Sequence, residues 1–127
     1  YKLSWVKCMF ESNSTPTAEV ELISRDGNYR QMEGQGDGPV DAICNAIDKI
    51  TGLQCKLLDY QVLSKTRGKD ALGEVTVRVL NETREVLGKD ASVNTIEASA
   101  AAYINAINKL LIKCKGESSE GETEVGP

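Results

Sequence analysis

Histidine is absent from the 127 residues, which removes the commonest general base near neutral pH and the commonest transition-metal ligand. Carboxylates, lysines and cysteines could still carry chemistry, but no grouping of them has the spacing of a catalytic or metal site. Long apolar runs are missing too. None approaches the roughly 18 residues that span a bilayer, and Tyr1-Lys2-Leu3-Ser4-Trp5 lacks the basic and apolar regions of a signal peptide. A cytoplasmic protein without a membrane partner is expected, and the missing initial Met points to a piece of a longer chain. The four cysteines, Cys8, Cys44, Cys55 and Cys114, form no CxxC pair, so neither zinc-site nor thioredoxin spacing is present. They read as buried reduced thiols, with a disulfide as the alternative. Positive charge is also in deficit. With a net charge of −4 there is no clustered Lys and Arg to release counterions from a phosphate backbone, so nucleic acid is not an expected partner.

What is present is an ordinary globular composition, 40% apolar and 27% charged, in a chain long enough for one core shared by two small units. An internal repeat supplies those units. Lys2-Leu3 matches Lys56-Leu57 at an offset of 54, Glu19-Val20 matches Glu74-Val75 at 55, and Gly34 matches Gly88 at 54. Asn45-Ala46-Ile47-Asp48-Lys49-Ile50 aligns with Asn105-Ala106-Ile107-Asn108-Lys109-Leu110 at 60, which implies about six extra residues before the second helix. Units 1–54 and 55–114 follow, forming one domain over 1–114.

Within each unit the period changes from two to about 3.6. Ala18, Val20 and Leu22 alternate with Glu19 and Glu21, and Asp26-Gly27 signals a hairpin turn before a return strand near Asn28 to Gly34. Val40, Ile43, Ile47 and Ile50 then fall on one helical face. In the second unit Leu58, Tyr60 and Val62 alternate, then Val75, Val77 and Val79, with a turn near Asn81-Glu82. Its helix carries Ile96, Ala100, Tyr103, Ile107 and Leu110 or Leu111, and the small residues from Ala98 to Ala102 admit a close neighbour. The predicted fold is α+β, two pseudo-repeated βββα units with helices packed on antiparallel sheets. Residues 115–127 are too polar to offset their ordering entropy and are expected to form a disordered acidic tail.

The sharpest local feature is Gly36-Asp37-Gly38-Pro39. Pro39 suits the first helical position and Asp37 or Gly38 can cap it. The glycines let backbone donors approach an anion at the positive end of the helix dipole. A capped strand-to-helix turn is the simpler use of the same residues. As a ligand site the loop suits a zwitterion better than a phosphate, since an ammonium can meet Asp37 or Asp41 while a carboxylate takes N–H donors. Asn94 and Thr95 mark the counterpart start of the second helix, and two such starts facing each other would form a cleft. The segment between Lys65 and Gly73 reads as a loop that could close over it or as a solvated hairpin loop. Tyr60 offers an apolar wall with a hydroxyl, while Trp5 and Tyr103 read as core or interface residues.

Gly36-Asp37-Gly38-Pro39-Val40-Asp41-Ala42, Leu58-Asp59-Tyr60, Asp70-Ala71-Leu72-Gly73-Glu74-Val75-Thr76-Val77 and Ile96-Glu97-Ala98-Ser99 with Ala102-Tyr103 occur in this order. Together they resemble the C-terminal regulatory domains of the 2-isopropylmalate synthases and the related citramalate synthases, across nearly all of residues 1–114. The resemblance implies a feedback-inhibition module that binds the end-product amino acid between its two units and near a homodimer interface. That amino acid is leucine in the first branch and isoleucine in the second, and the glycine loop is more similar to the first. The resemblance also implies the site residues Gly36, Asp37, Gly38, Val40 and Asp41 in the loop, Leu57, Tyr60, Ser64, Ala71 and Gly73 as walls, and Asn94 and Thr95 at the second helix. It implies a partner catalytic barrel, absent here, that condenses acetyl-CoA with 2-oxoisovalerate using a divalent metal. This chain itself is expected to hold no cofactor and to turn over no substrate.

Two other classes compete. A ligand-free dimerisation module would share every core feature and differ only at the glycine loop. Three strands and a helix also occur in double-stranded RNA-binding modules, but those need a basic helix start. Here the second helix opens Asn94-Thr95-Ile96-Glu97 and has no Lys before Lys109.

Overall fold

Alternating apolar residues in the first third of the chain form three strands, β1 (Lys2–Met9), β2 (Thr17–Ile23) and β3 (Tyr29–Gln35), followed by helix α1 (Pro39–Thr51). The same order returns as β4 (Lys56–Ser64), β5 (Gly73–Asn81), β6 (Arg84–Ser92) and α2 (Thr95–Ser119). The computed structural model describes residues 1–64 and 72–119, the side chains of 113–119 excepted. Helix α2 therefore runs five residues into the segment expected to fray, while 120–127 lie outside the described residues. So does the part of the Lys65 to Gly73 loop that contains Ala71.

Each unit is an antiparallel meander, ordered β1-β2-β3 and β4-β5-β6. The hairpin turns fall where the sequence placed them. Gly27 takes φ 89° and its N–H donates to the Ser24 carbonyl at 2.9 Å. The second turn spans Glu82-Thr83 between paired Asn81 and Arg84, with Glu82 at φ 58°. One expectation needs correction. The alternation of Leu58, Tyr60 and Val62 is broken, because the register with β5 shifts between Leu57 and Asp59. This bulge at Leu58 turns Leu57, rather than Leu58, onto the core. The repeat carries the same device in β1, where the shift lies between Leu3 and Trp5.

The helices lie on the inward faces of the sheets. Val20 and Leu22 of β2 and Val75 and Val79 of β5 are fully buried beneath them, each contributing about 1.5–3 kcal/mol relative to exposure. Helix α1 buries Ala42, Cys44 and Ala46 in addition to the expected Ile43, Ile47 and Ile50, because it packs on β2 and β3 and also on α2. Helix α2 covers β5 and β6 and reaches across to β1, so the helices carry the contact between units.

What sets the helix-to-sheet distance is a repeat-related glycine on each third strand. A Cβ built on Gly34 would lie 2.4 Å from the Ala46 nitrogen, and one on Gly88 only 2.0 Å from the Ala102 carbonyl oxygen. Helix polar groups are satisfied in the same paired way. Asn45 donates to the Gln35 carbonyl and Lys49 to that of Glu33. Asn105 donates to the Lys89 carbonyl and Lys109 to that of Leu87. The best-matched stretch of the repeat is thus the part that stitches each helix to its outermost strand.

Candidate functional site

The loop before α1 folds back on the helix. Gly36 is packed against the first turn so closely that a Cβ there would sit 2.5 Å from a carboxylate oxygen of Asp41 and 2.6 Å from the Ala42 nitrogen. The Asp37 N–H donates to the Asp41 carboxylate at 2.9 Å. The N-cap is Gly38, in extended conformation, and no side chain caps the helix. Of the two capping residues the sequence allowed, the structure therefore selects Gly38, and the Asp37 side chain is left exposed. Pro39 occupies the first turn as expected. The result is a helix start whose early N–H groups meet no capping side chain, with two exposed carboxylates, Asp37 and Asp41, beside it and the half-buried Val40 as an apolar neighbour.

The start of α2 is closed. The Asn94 side-chain oxygen accepts from the Ile96 and Glu97 N–H groups at 2.9 and 3.3 Å, which satisfies two of the orphan donors of the first turn. Thr95 turns its methyl toward Gly73, where a built Cβ would meet it at 2.9 Å and a Val62 methyl at 3.6 Å. Tyr60 joins this group through its hydroxyl, 2.8 Å from that of Ser99, which itself donates to the Thr95 carbonyl at 2.7 Å. Ser64 is the register partner of Gly73.

Tyr60, Ser64, Gly73, Asn94 and Thr95 are thus gathered at one end of the second sheet, with Val62 and Ser99 as members that sequence reasoning missed. Gly36, Asp37, Gly38, Val40 and Asp41 are gathered at the α1 start. Leu57 lies at the far end of β4 from Ser64, and Ala71 is outside the described residues. No backbone contact joins α1 to β4 among the described residues. Two surface depressions, of about 390 Å³ around Asp59, Arg78 and Glu85 and about 740 Å³ around Gly52, Asn81 and Arg84, include none of these residues.

A polar bridge between the units also escaped the sequence. Tyr103 of α2 is 1% exposed and its hydroxyl donates to the Asp48 carboxylate of α1 at 2.8 Å. Burial pushes the Asp48 carboxyl up to about 6, against which the Tyr103 hydroxyl and the Cys55 backbone act. Asn108, the repeat counterpart of Asp48, bonds both the backbone nitrogen and the carbonyl of Tyr1 at 2.8 Å. Each helix therefore holds the first residue of the other unit.

Residues 1–111 match the family described as "LeuA allosteric (dimerisation) domain". The chain belongs to that family. Among similar proteins, a 2-isopropylmalate synthase of Pelotomaculum thermopropionicum is 45% identical over 112 residues, which are 87% of this chain and 22% of the relative. That of Nitrosococcus oceani is 47% identical over 111 residues, again 87% and 22%. That of Carboxydothermus hydrogenoformans is 45% identical over 120 residues, 92% of this chain and 23% of the relative. The chain thus spans about a fifth of the length of the relatives it matches.

Burial pushes the Cys44 thiol far up, and raises the Cys8 and Cys55 thiols as well. All three are free, and a thiol kept protonated in this way is a weaker nucleophile than the thiolate. Cys44 is buried as expected, whereas Cys8 and Cys55 are only partly so. Trp5, expected inside or at an interface, is 36% exposed. No group of three His, Cys, Asp or Glu residues suits a metal among the described residues, and no described helix is long and apolar enough to cross a membrane.

Proposed function

We propose that the chain is the end-product-sensing part of a cytoplasmic 2-isopropylmalate synthase, binding leucine to inhibit a condensation performed elsewhere in the protein. In this reading the catalytic part condenses acetyl-CoA with 2-oxoisovalerate and holds the divalent metal, and this domain has no turnover of its own. The observation that carries the reading is the uncapped start of α1. Its backbone N–H groups suit the carboxylate of an amino acid, favoured there by the helix dipole, and Asp37 suits its ammonium. Val40 supplies apolar surface on the same side. The Tyr60, Thr95 and Gly73 group is the proposed second wall, reached across the units as the side chain is enclosed.

The names of the three relatives support leucine over the isoleucine expected of a citramalate synthase. The RNA-binding alternative has no support in the charge at either helix start. In Gly38→Ser a capping hydroxyl competes for the donors the carboxylate would use. The fold should be as stable or slightly more so, while the leucine-induced rise in melting temperature shrinks. An unchanged rise would show that the α1 start is not the carboxylate site.

A further inference from the structure

Among the described residues, the strands and helices of the two units meet only where α1 packs on α2 and where α2 reaches β1. A polar bridge marks each meeting. At the second, Asn108 of α2 bonds the Tyr1 backbone through a neutral amide. At the first, the half-buried Asp48 takes the helix position that Asn108 holds in the repeat, and its carboxylate accepts from the Tyr103 hydroxyl at 2.8 Å. The repeat counterpart of Tyr103 is Ile43, which is fully buried. The Asp48–Tyr103 bond therefore has no twin.

An amide side chain could accept the same bond, so what a carboxyl adds at this position is a charge that a proton removes. Its surroundings do little for that charge. The other donor to Asp48 is the Cys55 backbone N–H, and burial outweighs both donors. Burial also keeps the thiols of Cys44 on α1 and Cys55 ahead of β4 protonated, and Asp41 on α1 adds only negative charge. From β5, Asn81 gives its amide to the Gln54 carbonyl. Lys49 and Lys109 donate to the Glu33 and Leu87 carbonyls on the third strands, and the Tyr1 nitrogen ahead of β1 donates to Asn108. No lysine or arginine among the described residues acts on Asp48.

We infer that Asp48 and Tyr103 form a proton-operated latch at the joint between the two units, closed while Asp48 carries its proton and loosened once the carboxylate is bare. The sign follows from burial. In the closed joint the carboxyl titrates at about 6, and opening returns it to water and to the ordinary 3.8, so opening is disfavoured below that window and gains as pH rises through it. Water already reaches the half-buried group and screens it, so a rise of about tenfold in the open population is expected. The inference is independent of leucine binding.

The test is native-state hydrogen exchange of the 127-residue chain. Amides of α1 and α2 beside the bridge, corrected for intrinsic rates, should exchange about tenfold faster at about pH 7 than at about pH 4.5. They should do so through small openings that low urea barely changes, whereas amides at the centre of β5 follow global unfolding and accelerate steeply with urea. Asp48→Asn should keep the bridge and lose most of the pH dependence. A wild type with no pH dependence, a variant as pH-dependent as the wild type, or bridge amides that accelerate with urea as β5 does would each overturn the inference. Should Asp48→Asn fail to fold, titration of the wild-type Asp48 carboxyl followed by NMR decides the matter. A midpoint near 6 that rises in Tyr103→Phe is expected. A midpoint in the ordinary carboxylate range, or one that Tyr103→Phe leaves in place, would overturn it.

Discussion

Replacing Gly88 by Ala adds one methyl group where a glycine lets a helix approach the sheet more tightly than at Gly34. That methyl would lie 2.0 Å from the Ala102 carbonyl oxygen, 2.8 Å from the Ala106 nitrogen and 3.0 Å from its Cβ. Two of these atoms are backbone, so no rotamer change relieves the clash and α2 must move off β6. Inserting a carbon into a packed core typically costs about 1–3 kcal/mol. Because a helix has to shift, a loss of about 3 kcal/mol is expected. For a domain of this size that corresponds to a drop of about 10 °C in Tm. The retreat of α2 also strains the Asn105 and Lys109 bonds to the Lys89 and Leu87 carbonyls. Urea unfolding followed by far-UV circular dichroism measures the change, with Leu87→Ala on the opposite face as control. If Gly88→Ala stays within about 0.5 kcal/mol of the wild type, the tight approach does not set the helix position.

Asp48 should make stability fall as pH rises. Its folded-state value of about 6 lies above the ordinary 3.8, so between the two the native state holds a proton that the unfolded state has released, and stability is lost through that window. Asp48→Asn should remove this part of the pH dependence while keeping the Tyr103 bond, and thermal melts of both proteins from acid to neutral pH check it. Asp48→Ala should instead orphan the buried Tyr103 hydroxyl and lose about 1–3 kcal/mol in urea titrations. Asn94→Ala removes the α2 cap and should cost about 1 kcal/mol in the same assay, against a few tenths for Asn94→Gly. Tyr60→Phe should cost about 1 kcal/mol, since Ser99 retains its bond to the Thr95 carbonyl.

The fold was legible in the sequence because both periods and the repeat point the same way. Ala18, Val20 and Leu22 alternate above a helix whose apolar residues recur at three and four, and Gly34 and Gly88 mark corresponding close contacts. The bulges at Ser4 and Leu58 were not legible, since an extra residue changes which side chains face inward without leaving a period of its own. The Asp48–Tyr103 bridge joins residues 55 apart in sequence, and nothing local to either announces the other. The bonds from Asn45, Lys49, Asn105 and Lys109 had a signal that could have been read. Polar residues repeated at matching helix positions are expected to meet matching strand carbonyls. At the candidate site, the loop Gly36-Asp37-Gly38 and the cap residue Asn94 stood out through their backbone chemistry. The grouping of Tyr60 with Ser99 and Thr95 depends on tertiary placement and did not.

The central claim is that the domain recognises a branched amino acid, and isothermal titration of the chain with leucine and isoleucine side by side tests it most directly. Saturable binding with preference for leucine is the result expected. A single methyl branch position separates the two ligands, so the preference should be about 1–3 kcal/mol. Preference for isoleucine would move the chain to the citramalate branch, and heat from neither at millimolar ligand would contradict the account and leave a dimerisation module.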